Sequence, residues 1–218
     1  MTTDQKTALA TAAMLLEVEA VHIRPFEPFT LTSGRQSPIY VDCRKLISFP
    51  RVRRQLMRYA ADLIQERVGY ESLDVIAGGE TAGIPFAAWI ADTLMLPMAY
   101  VRKKPKGFGR NAQIEGVIAE GARVLLVEDL ASDGGSKLSF CQAIRDAGAK
   151  IDHAFVIFFY DIYPGSREAL QAEGITLLNL ATWRDVLDVA RRQERLTFEA
   201  LSMVEAYLGD PEAWTPMT

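Results

Sequence analysis

The 218-residue sequence predicts an α/β fold in which a parallel sheet is covered by helices on both faces. Two observations predict this class. Short apolar runs rich in β-branched residues alternate with stretches whose apolar residues recur at helical spacing. A strand that is apolar at every position has both faces buried, as in parallel sheets flanked by helices. The predicted strands are 37–44, 74–77, 98–101, 124–127, 154–159 and 175–180, and the predicted helices are 8–21, 50–68, 83–94, 136–147, 182–193 and 196–208.

Composition narrows the classes of function. Hydrophobic residues make up 49% of the chain and charged residues 24%, as in a globular protein with its own core. Only two cysteines occur, Cys43 and Cys141, without a CxxC pattern, so we expect a reducing compartment and a cytoplasmic location. The N-terminal segment lacks an apolar run as long as a signal peptide or a membrane span, and we expect no membrane partner.

Charge is unevenly distributed along the chain. The formal net charge of −4 argues against general nucleic-acid binding, and we expect no nucleic-acid partner. One segment between residues 102 and 110 nevertheless contains five basic residues and no acid, which indicates a local anionic ligand. These residues are Arg102, Lys103, Lys104, Lys106 and Arg110.

The segment from Arg123 to Lys137 carries the most specific pattern. An apolar strand delivers Glu128 and Asp129 at its carboxyl end, and a turn of small residues and a helix follow. Ligands of open parallel sheets bind at this end of the strands, where backbone N–H groups of such a turn can hold a phosphate. Adjacent acids near a phosphate require a sugar diol or a divalent cation between them. A ribose with a 5-phosphate satisfies both conditions; the alternative is an ordinary strand–turn–helix with an Asp/Ser cap.

Two further loops suit an anionic sugar ligand. The loop 102–116 is long and basic, and Gly107 and Gly109 would let it close over a reaction that expels an anion. The turn 77–85 has consecutive glycines after a strand, which permit close approach of the backbone to a ligand. The alternatives are a solvated basic loop, a patch for RNA binding or nuclear localisation, and a plain tight turn.

The N-terminal segment 29–44 contains the pattern F-x-L-x-S-G-x-x-S-P-x-Y-x-D-x-R. Its two turns, at 33–34 and 37–38, would present backbone N–H groups, the cation Arg35 and the ring of Tyr40 to a planar anionic ligand. The alternative is a hairpin that packs on the core.

The acid-containing segment resembles the phosphoribosyl-pyrophosphate (PRPP) signature of the type I phosphoribosyltransferases. The resemblance extends over roughly residues 15–195. It implies a twisted, mainly parallel sheet flanked by helices, with a small N-terminal hood. It places Glu128 and Asp129 on the ribose hydroxyls of PRPP and residues 131–136 on the 5-phosphate. After the two acids, the implied PRPP-binding residues are Leu130, Ala131, Ser132, Asp133, Gly134, Gly135 and Ser136.

The basic loop and the glycine turn are similar to elements of orotate phosphoribosyltransferases. The resemblance implies that Arg102, Lys103 and Lys106 are catalytic and contact the pyrophosphate of PRPP. In the family this loop reaches the active site of a neighbouring subunit, which implies a homodimer. Phe108 stands where members usually have a histidine, and Ala82 where many have a lysine. In the family this turn binds pyrophosphate, often with an unusual peptide geometry, and the resemblance implies this role for Gly79, Glu80 and Thr81.

The 29–44 pattern is similar to the hood of orotate phosphoribosyltransferases and implies that the base is orotate. Thr32 stands where many members have a lysine that touches both substrates, and Ile162 where many have an arginine near the orotate carboxylate. These two departures concern the base rather than the donor. The implied orotate-binding residues are Ser33, Gly34, Arg35, Tyr40 and Ser132.

The resemblance also implies an organisation and a reaction. Residues 1–218 would form one domain, with the hood at about 20–48, the core at about 50–180 and C-terminal helices at about 182–208. Orotate N1 would replace the pyrophosphate of PRPP with inversion, giving orotidine 5′-phosphate in de novo UMP biosynthesis. We expect Mg²⁺ as cofactor, held chiefly by PRPP and with no firm direct protein ligand. Two alternatives remain open: a phosphoribosyltransferase for another base, and a non-catalytic regulator that retains the donor site.

Overall fold

The computed structural model describes residues 2–31, 34, 36–107, 113–132 and 135–216, with residue 136 described by its backbone alone. The helices in these ranges are α1 (Thr3–Glu17), α2 (Pro50–Arg67), α3 (Gly83–Leu94), α4 (Gly135–Asp146), α5 (Ser166–Ala172), α6 (Trp183–Arg192) and α7 (Phe198–Gly209), with a 3₁₀ helix, η1, at Cys43–Ser48. The strands are β1 (Val21–Ile23), β2 (Phe29–Thr30), β3 (Gln36–Ser37), β4 (Ile39–Val41), β5 (Val75–Gly79), β6 (Met98–Val101), β7 (Ile114–Glu115), β8 (Arg123–Ala131), β9 (Lys150–Phe159) and β10 (Thr176–Thr182).

The central sheet has the strand order β10-β9-β8-β5-β6-β7. The first five strands in this order are parallel to their neighbours, and only β7 runs antiparallel, against β6. Parallel strands require crossover connections, and helices supply most of them here. The structure therefore confirms the predicted α/β class with a mainly parallel sheet.

Side chains of the central strands alternate between two apolar layers, because successive residues of a strand point to opposite faces. In β8, Leu125 and Val127 belong to the layer formed with α1, α2, α3, α6 and α7. Val124 and Leu126 belong to the layer formed with α4 and α5. All four side chains are at most 2% exposed. Burial on both faces explains why these strands are apolar at every position.

Local signals set the start of several helices. Helix α2 begins with Pro50, whose missing N–H costs nothing at a first helical position. Helix α6 begins with a capping box, in which the Asp185 carboxylate accepts hydrogen bonds of 2.8 Å from both the backbone N–H and the hydroxyl of Thr182. Within the described ranges, no helix has both the length and the apolar character needed to cross a membrane.

The single strand predicted over 37–44 is wrong. The Ser37 hydroxyl donates to the Ile39 carbonyl at 2.7 Å and accepts from the Ile39 N–H at 3.3 Å, which bends the chain between β3 and β4. The Asp42 carboxylate then accepts from the Arg44 N–H at 3.2 Å and starts η1. Local side-chain hydrogen bonds therefore divide the segment into two short strands and a 3₁₀ helix.

Short elements account for the other differences. The predicted helix 8–21 begins earlier and ends at Glu17, and β1 follows it. Helix α5 has seven residues and strand β7 has two, which is too few for periodicity to show. Strand β7 lies within the long loop 102–116, so the base of that loop is a hairpin with β6.

The hood consists of two antiparallel strand pairs, β1–β4 and β2–β3, together with η1. One hydrogen bond joins it to the carboxyl edge of the sheet: the Val41 N–H donates to the Tyr160 hydroxyl at 3.2 Å. Tyr160 directly follows β9, and burial raises the pKa of its phenol, so the hydroxyl stays protonated at neutral pH. The hood is thereby held against the edge at which ligands of parallel sheets bind.

Candidate active site

Eight of the predicted site residues meet at one edge of the sheet. Strands β9, β8, β5 and β6 are adjacent and parallel, so the segments that follow them lie side by side. A cavity of about 840 Å³ lies between this edge and the hood. Its walls include the sequence-predicted residues Tyr40, Glu80, Thr81, Lys103, Glu128, Asp129, Leu130 and Ser132.

The acid pair lies near the end of the central strand β8. Glu128 is 7% exposed and Asp129 is 8% exposed. A Cβ atom at position 79 would overlap the Glu128 carboxylate, so Gly79 is the residue that lets this acid lie against β5. Next to it, a Cβ atom on Gly83 would overlap the Val127 carbonyl oxygen, so α3 also starts directly against β8. These close approaches hold the acids at a defined position on the cavity wall.

Burial controls the protonation of the acid pair. It raises the pKa of Glu128 to about 8, with a further rise from the charge of Asp129 and an opposing effect of Lys137. Burial also raises the pKa of Asp129, against the stabilising N–H of Leu130 and the charge of Lys137. The pair therefore keeps about one proton at neutral pH when no ligand donates hydrogen bonds to it. A ligand that donates hydrogen bonds to both carboxylates would release this proton.

The glycine turn after β5 is tied to the basic loop. The Glu80 N–H donates to the Val101 carbonyl at 2.9 Å, and the Glu80 carboxylate accepts from the Lys103 N–H at 2.8 Å. The peptide bond between Glu80 and Thr81 is cis. Thr81 and Ala82 both line the cavity. The predicted pyrophosphate turn and the start of the predicted catalytic loop thus lie next to each other.

The three predicted catalytic cations occupy different environments. Lys103 is exposed and lines the cavity. Lys106 is exposed and lies outside the cavity wall. The guanidinium of Arg102 is partly buried and pairs with the Glu115 carboxylate of β7 at 3.4 Å. The tip of the loop, residues 108–112 with Phe108 and Arg110, lies outside the described residues.

The predicted phosphate turn joins β8 to α4. Ala131 is fully buried, and Ser132 lines the cavity. Helix α4 begins at Gly135, so its N-terminus follows the acid pair by a few residues. A helix N-terminus beside free backbone N–H groups favours phosphate. Asp133, Gly134 and the side chain of Ser136 lie outside the described part of the chain.

In the hood, Tyr40 is the predicted base-binding residue that reaches the cavity. Its ring lies 5.6 Å from that of Phe29 and 6.2 Å from that of His22, measured between ring centroids. Gly34 is exposed and has a φ of 83°, in the left-handed region that favours glycine. Thr32, Ser33 and Arg35 lie outside the described residues.

Comparison with known proteins identifies the family. Residues 47–178 match the family model described as the phosphoribosyl transferase domain. An orotate phosphoribosyltransferase of Cereibacter sphaeroides (strain ATCC 17025) is 58% identical over 210 residues, which cover 96% of this chain and 90% of the relative. The chain belongs to the orotate phosphoribosyltransferase family.

Solved structures of this family have the same fold. The orotate phosphoribosyltransferase of Aeropyrum pernix has a TM-score of 0.69 and 28% identity, over 82% of this chain and 97% of that one. The enzyme of Mycobacterium tuberculosis H37Rv in complex with PRPP has a TM-score of 0.63 and 25% identity, over 83% of this chain and 98% of that one. These matches confirm the predicted type I phosphoribosyltransferase fold.

Several residues that line the cavity are missing from the sequence-based set of site residues, among them Arg44, Lys137, Tyr160 and Tyr163. The sequence could have indicated two of them. Tyr160 and Tyr163 follow the carboxyl end of β9, much as the predicted acids lie near the carboxyl end of β8. Arg44 is the last residue of the hood pattern. Lys137 lies in the first turn of α4, where the side chain of a helix directly after a phosphate turn can reach the site.

Arg44 lies on the hood side of the cavity. Its Nε donates to the Asp42 carboxylate at 3.0 Å, and its terminal nitrogen donates to the Tyr40 hydroxyl at 3.2 Å. The bond to Asp42 raises the pKa of Arg44, which therefore stays charged. By contrast, Ile162 packs against the apolar core near the position where many members of the family have an arginine. Arg44 is therefore a charged side chain on the hood side of the cavity.

Proposed function

We propose that this protein transfers the phosphoribosyl group of PRPP to N1 of orotate, forming orotidine 5′-phosphate and pyrophosphate in de novo UMP biosynthesis. The observation that carries the proposal is the meeting of two sites in one cavity. The buried acids and the phosphate turn form one side, and Tyr40 and Arg44 of the hood form the other. The family to which the chain belongs has this activity in its name.

The donor half follows from the chemistry of PRPP. The vicinal ribose hydroxyls are hydrogen-bond donors, and Glu128 and Asp129 are the acceptors that the cavity offers them. The turn around Ser132 and the N-terminus of α4 suit the 5-phosphate. The turn from Glu80 to Ala82 is adjacent to Lys103 and suits the pyrophosphate. The M. tuberculosis relative in complex with PRPP supports this choice of donor.

The base half follows from the chemistry of orotate, which is planar and carries a carboxylate. The Tyr40 ring and the nearby Tyr160 and Tyr163 provide flat apolar surface, and Arg44 provides a fixed cation. Ser132 also lines the cavity, and its hydroxyl suits either substrate. Arg35 remains a sequence-based candidate for the same face.

The reaction forms the bond from orotate N1 to ribose C1 and breaks the bond from C1 to the pyrophosphate oxygen. Negative charge grows on the leaving group, and cations held there lower the barrier. Lys103 lies at the cavity of its own chain. Lys106 would reach the leaving group when the loop closes over PRPP, which in the proposed dimer is bound to the neighbouring subunit. Closure also excludes water from a ribosyl centre with oxocarbenium character.

Magnesium is part of the proposal, bound with the donor rather than by a protein cage. Within the described ranges, no group of three or more His, Cys, Asp and Glu side chains is placed to hold a metal ion. Mg²⁺ commonly keeps its waters and binds substrate phosphates, so PRPP would supply most of its ligands. When bound, the ion would neutralise part of the charge on the leaving pyrophosphate.

A homodimer that shares the basic loop is also proposed, and mixed dimers test it. One variant carries Lys106→Ala, which removes a cation of the loop. The other variant carries Asp129→Asn, which alters the acid pair. The assay uses a PRPP concentration well below the raised Kd of Asp129→Asn, so that each variant alone has little activity. If the loop acts across subunits, mixing the two variants restores about a quarter of parent activity, because half the dimers are hybrids with one intact site. No recovery after subunit exchange would show that each chain uses its own loop.

A cytoplasmic location belongs to the same proposal. It rests on the sequence and on the two buried cysteines, Cys43 and Cys141, which are free thiols. Fractionation of cells that express the tagged protein tests it, and recovery with a compartment other than the cytoplasm would contradict it.

The decisive experiment measures orotate consumption and pyrophosphate release with PRPP and Mg²⁺. We expect equal amounts of orotate consumed and pyrophosphate formed, with little reaction of adenine, hypoxanthine or uracil. Turnover of one of those bases without turnover of orotate would establish the alternative base. Tight binding of PRPP without any turnover would favour the regulator.

A further inference from the structure

Three charged side chains are buried among the residues that the structure describes, and all three line the same cavity. They are Glu128, Asp129 and Lys137, with exposed fractions of 7%, 8% and 6%. The first two belong to the proposed donor site. Lys137 belongs to α4 and has no role in the function proposed above.

A buried ammonium group requires a compensating charge. Removing a lysine from water costs several kcal/mol, so lysine is almost never fully buried unless it is paired. The charge of Lys137 acts on both Glu128 and Asp129, and it opposes the effect of burial on each of them. The three side chains therefore form one electrostatic unit, in which a single cation faces two acids.

Lys137 is one of three described cations on the cavity wall. Ala82 stands where many members of the family have a lysine, and both Ala82 and Lys137 line the cavity. The other described cations on its wall lie in different places. Lys103 adjoins the pyrophosphate turn, and Arg44 is bonded within the hood.

We propose that Lys137 is a positioning residue of the donor site, whose buried ammonium group holds the Glu128 and Asp129 carboxylates together for the ribose hydroxyls. The inference deepens the proposed function and depends on it for the identity of the ligand. In the free protein, one proton on the acid pair makes the unit of three side chains neutral. When the diol donates its hydrogen bonds, that proton leaves and Lys137 balances one of the two negative charges.

The pH dependence of donor binding reports on this unit. The pKa of Glu128 is about 8, well above the ordinary value of a glutamate, so below that pH the donor must displace a proton. PRPP affinity should therefore rise with pH, up to tenfold per unit, and level off above about pH 8. The other titratable groups around the pair are Cys43 and Arg44 in η1, and Glu80, Lys103 and Tyr160 on the cavity wall.

The test compares Lys137→Met with Lys137→Arg and with Lys150→Met, a control at an exposed lysine at the start of β9. Calorimetry with PRPP and Mg²⁺ gives the Kd across this pH range without requiring orotate turnover. We expect Lys137→Met to weaken PRPP binding about 10- to 100-fold and to move the pH midpoint upward by roughly one unit or more. The upward direction follows because loss of the cation leaves the ionised pair less stable.

Further readouts separate positioning from a structural role. Lys137→Arg keeps the charge and should restore most of the affinity and the parent midpoint, and the KM for orotate should change little in either variant. A merely structural lysine would lower the melting temperature and leave the midpoint where it is. A folded Lys137→Met with parent PRPP affinity and pH midpoint would overturn the inference.

A double variant provides a second test, which remains informative even if Lys137→Met lowers the stability of the protein. With Glu128→Gln in place, the cavity has one acid instead of two, and Lys137→Met should then weaken binding less than it does in the parent. Equal losses in both backgrounds would show that Lys137 and the pair act independently, which would also overturn the inference. Because binding is measured directly, failure of orotate turnover would count against the proposed function and not against this coupling.

Discussion

The proposed donor side and the proposed base side of the cavity are built differently. The acids of the donor side lie near the end of β8, a nine-residue strand that is paired on both sides in the middle of the sheet. The hood consists of strands of two or three residues, and the side chain of Arg44 is 61% exposed. Lys103 and Lys106 of the loop are also exposed.

This difference separates two ways of holding a ligand. A buried, strand-borne acid cannot move without disturbing the core, so its geometry exists before the ligand arrives. Exposed cations on short elements bind through groups that are ordered when the substrate enters or the loop closes. We therefore expect substitutions on the two sides to affect different steps, and four variants test this.

The largest effect is expected for Lys106→Ala. Removing a cation that meets the leaving group only in the transition state should lower kcat on the order of 100- to 1000-fold, with little change in the Kd for PRPP. Steady-state kinetics and calorimetry measure the two quantities. Lys104→Ala, at an exposed lysine of the same loop, is the matched control and should retain most activity. Equal losses of kcat in the two variants would show that the loop acts through its overall positive charge and not through Lys106 in particular.

Asp129→Asn should act on binding rather than on the fold. The amide keeps the shape but is a poorer acceptor for a sugar hydroxyl than a carboxylate, so the Kd for PRPP should rise about 10- to 100-fold. Glu128 can then carry the negative charge that compensates Lys137, so the melting temperature should change little. Asp152→Asn, at an exposed acid of β9, is the control. If Asp129→Asn bound PRPP with the affinity of the parent, the assignment of the acid pair to the donor site would be wrong.

Arg44→Ala should raise the KM for orotate about tenfold, since it removes a cation from the base side of the cavity. The KM for PRPP should change much less, which distinguishes this variant from those of the donor side. Arg44→Lys should recover only part of the loss, because an ammonium lacks the fork of a guanidinium. Arg51→Ala, at an exposed residue of α2, is the control. A rise in the PRPP KM alone would contradict the assignment.

The smallest effect is expected for Tyr160→Phe, which removes the hydrogen bond from the Val41 N–H that joins hood and core. A hydrogen bond of this kind contributes about 1 kcal/mol, so the KM for orotate should rise roughly fivefold while the donor Kd stays near that of the parent. Tyr70→Phe, at a tyrosine that is 75% exposed, should match the parent in both quantities. Unchanged orotate kinetics in Tyr160→Phe would show that the hood does not depend on this bond.

Much of the sheet could be predicted because its strands are buried on both faces. The strand 98–101 and the helix 83–94 have the predicted bounds, while β8 and β9 extend a few residues beyond the predicted ones. Continuous apolar runs and helical periodicity are local properties, so they can be read along the chain. The hood was harder to predict, because its short strands are held by hydrogen bonds of single side chains such as Ser37.

The site divides in the same way. Glu128, Asp129, the glycine turn and the hood pattern stand out because residue types unusual for their surroundings occur at strand ends. Nothing within the hood pattern marks Arg44 as a residue of the site, and Lys137 does not stand out, because a lone cation in a first helical turn is usually solvated. Their positions at the cavity depend on how the hood and α4 pack against the sheet. The division into hood, core and C-terminal helices stays a prediction.

By itself, the sequence determined the class of fold, the positions of the buried strands along the chain, and the acids and glycines that mark a phosphoribosyl site. Those features follow from the hydrophobicity, the charge and the backbone conformational freedom of individual residues. Only the tertiary structure decided that one buried lysine faces two buried acids and that Arg44 shares their cavity. The physical reason is that burial and the distance between charges depend on which segments pack together, and no single segment contains that information.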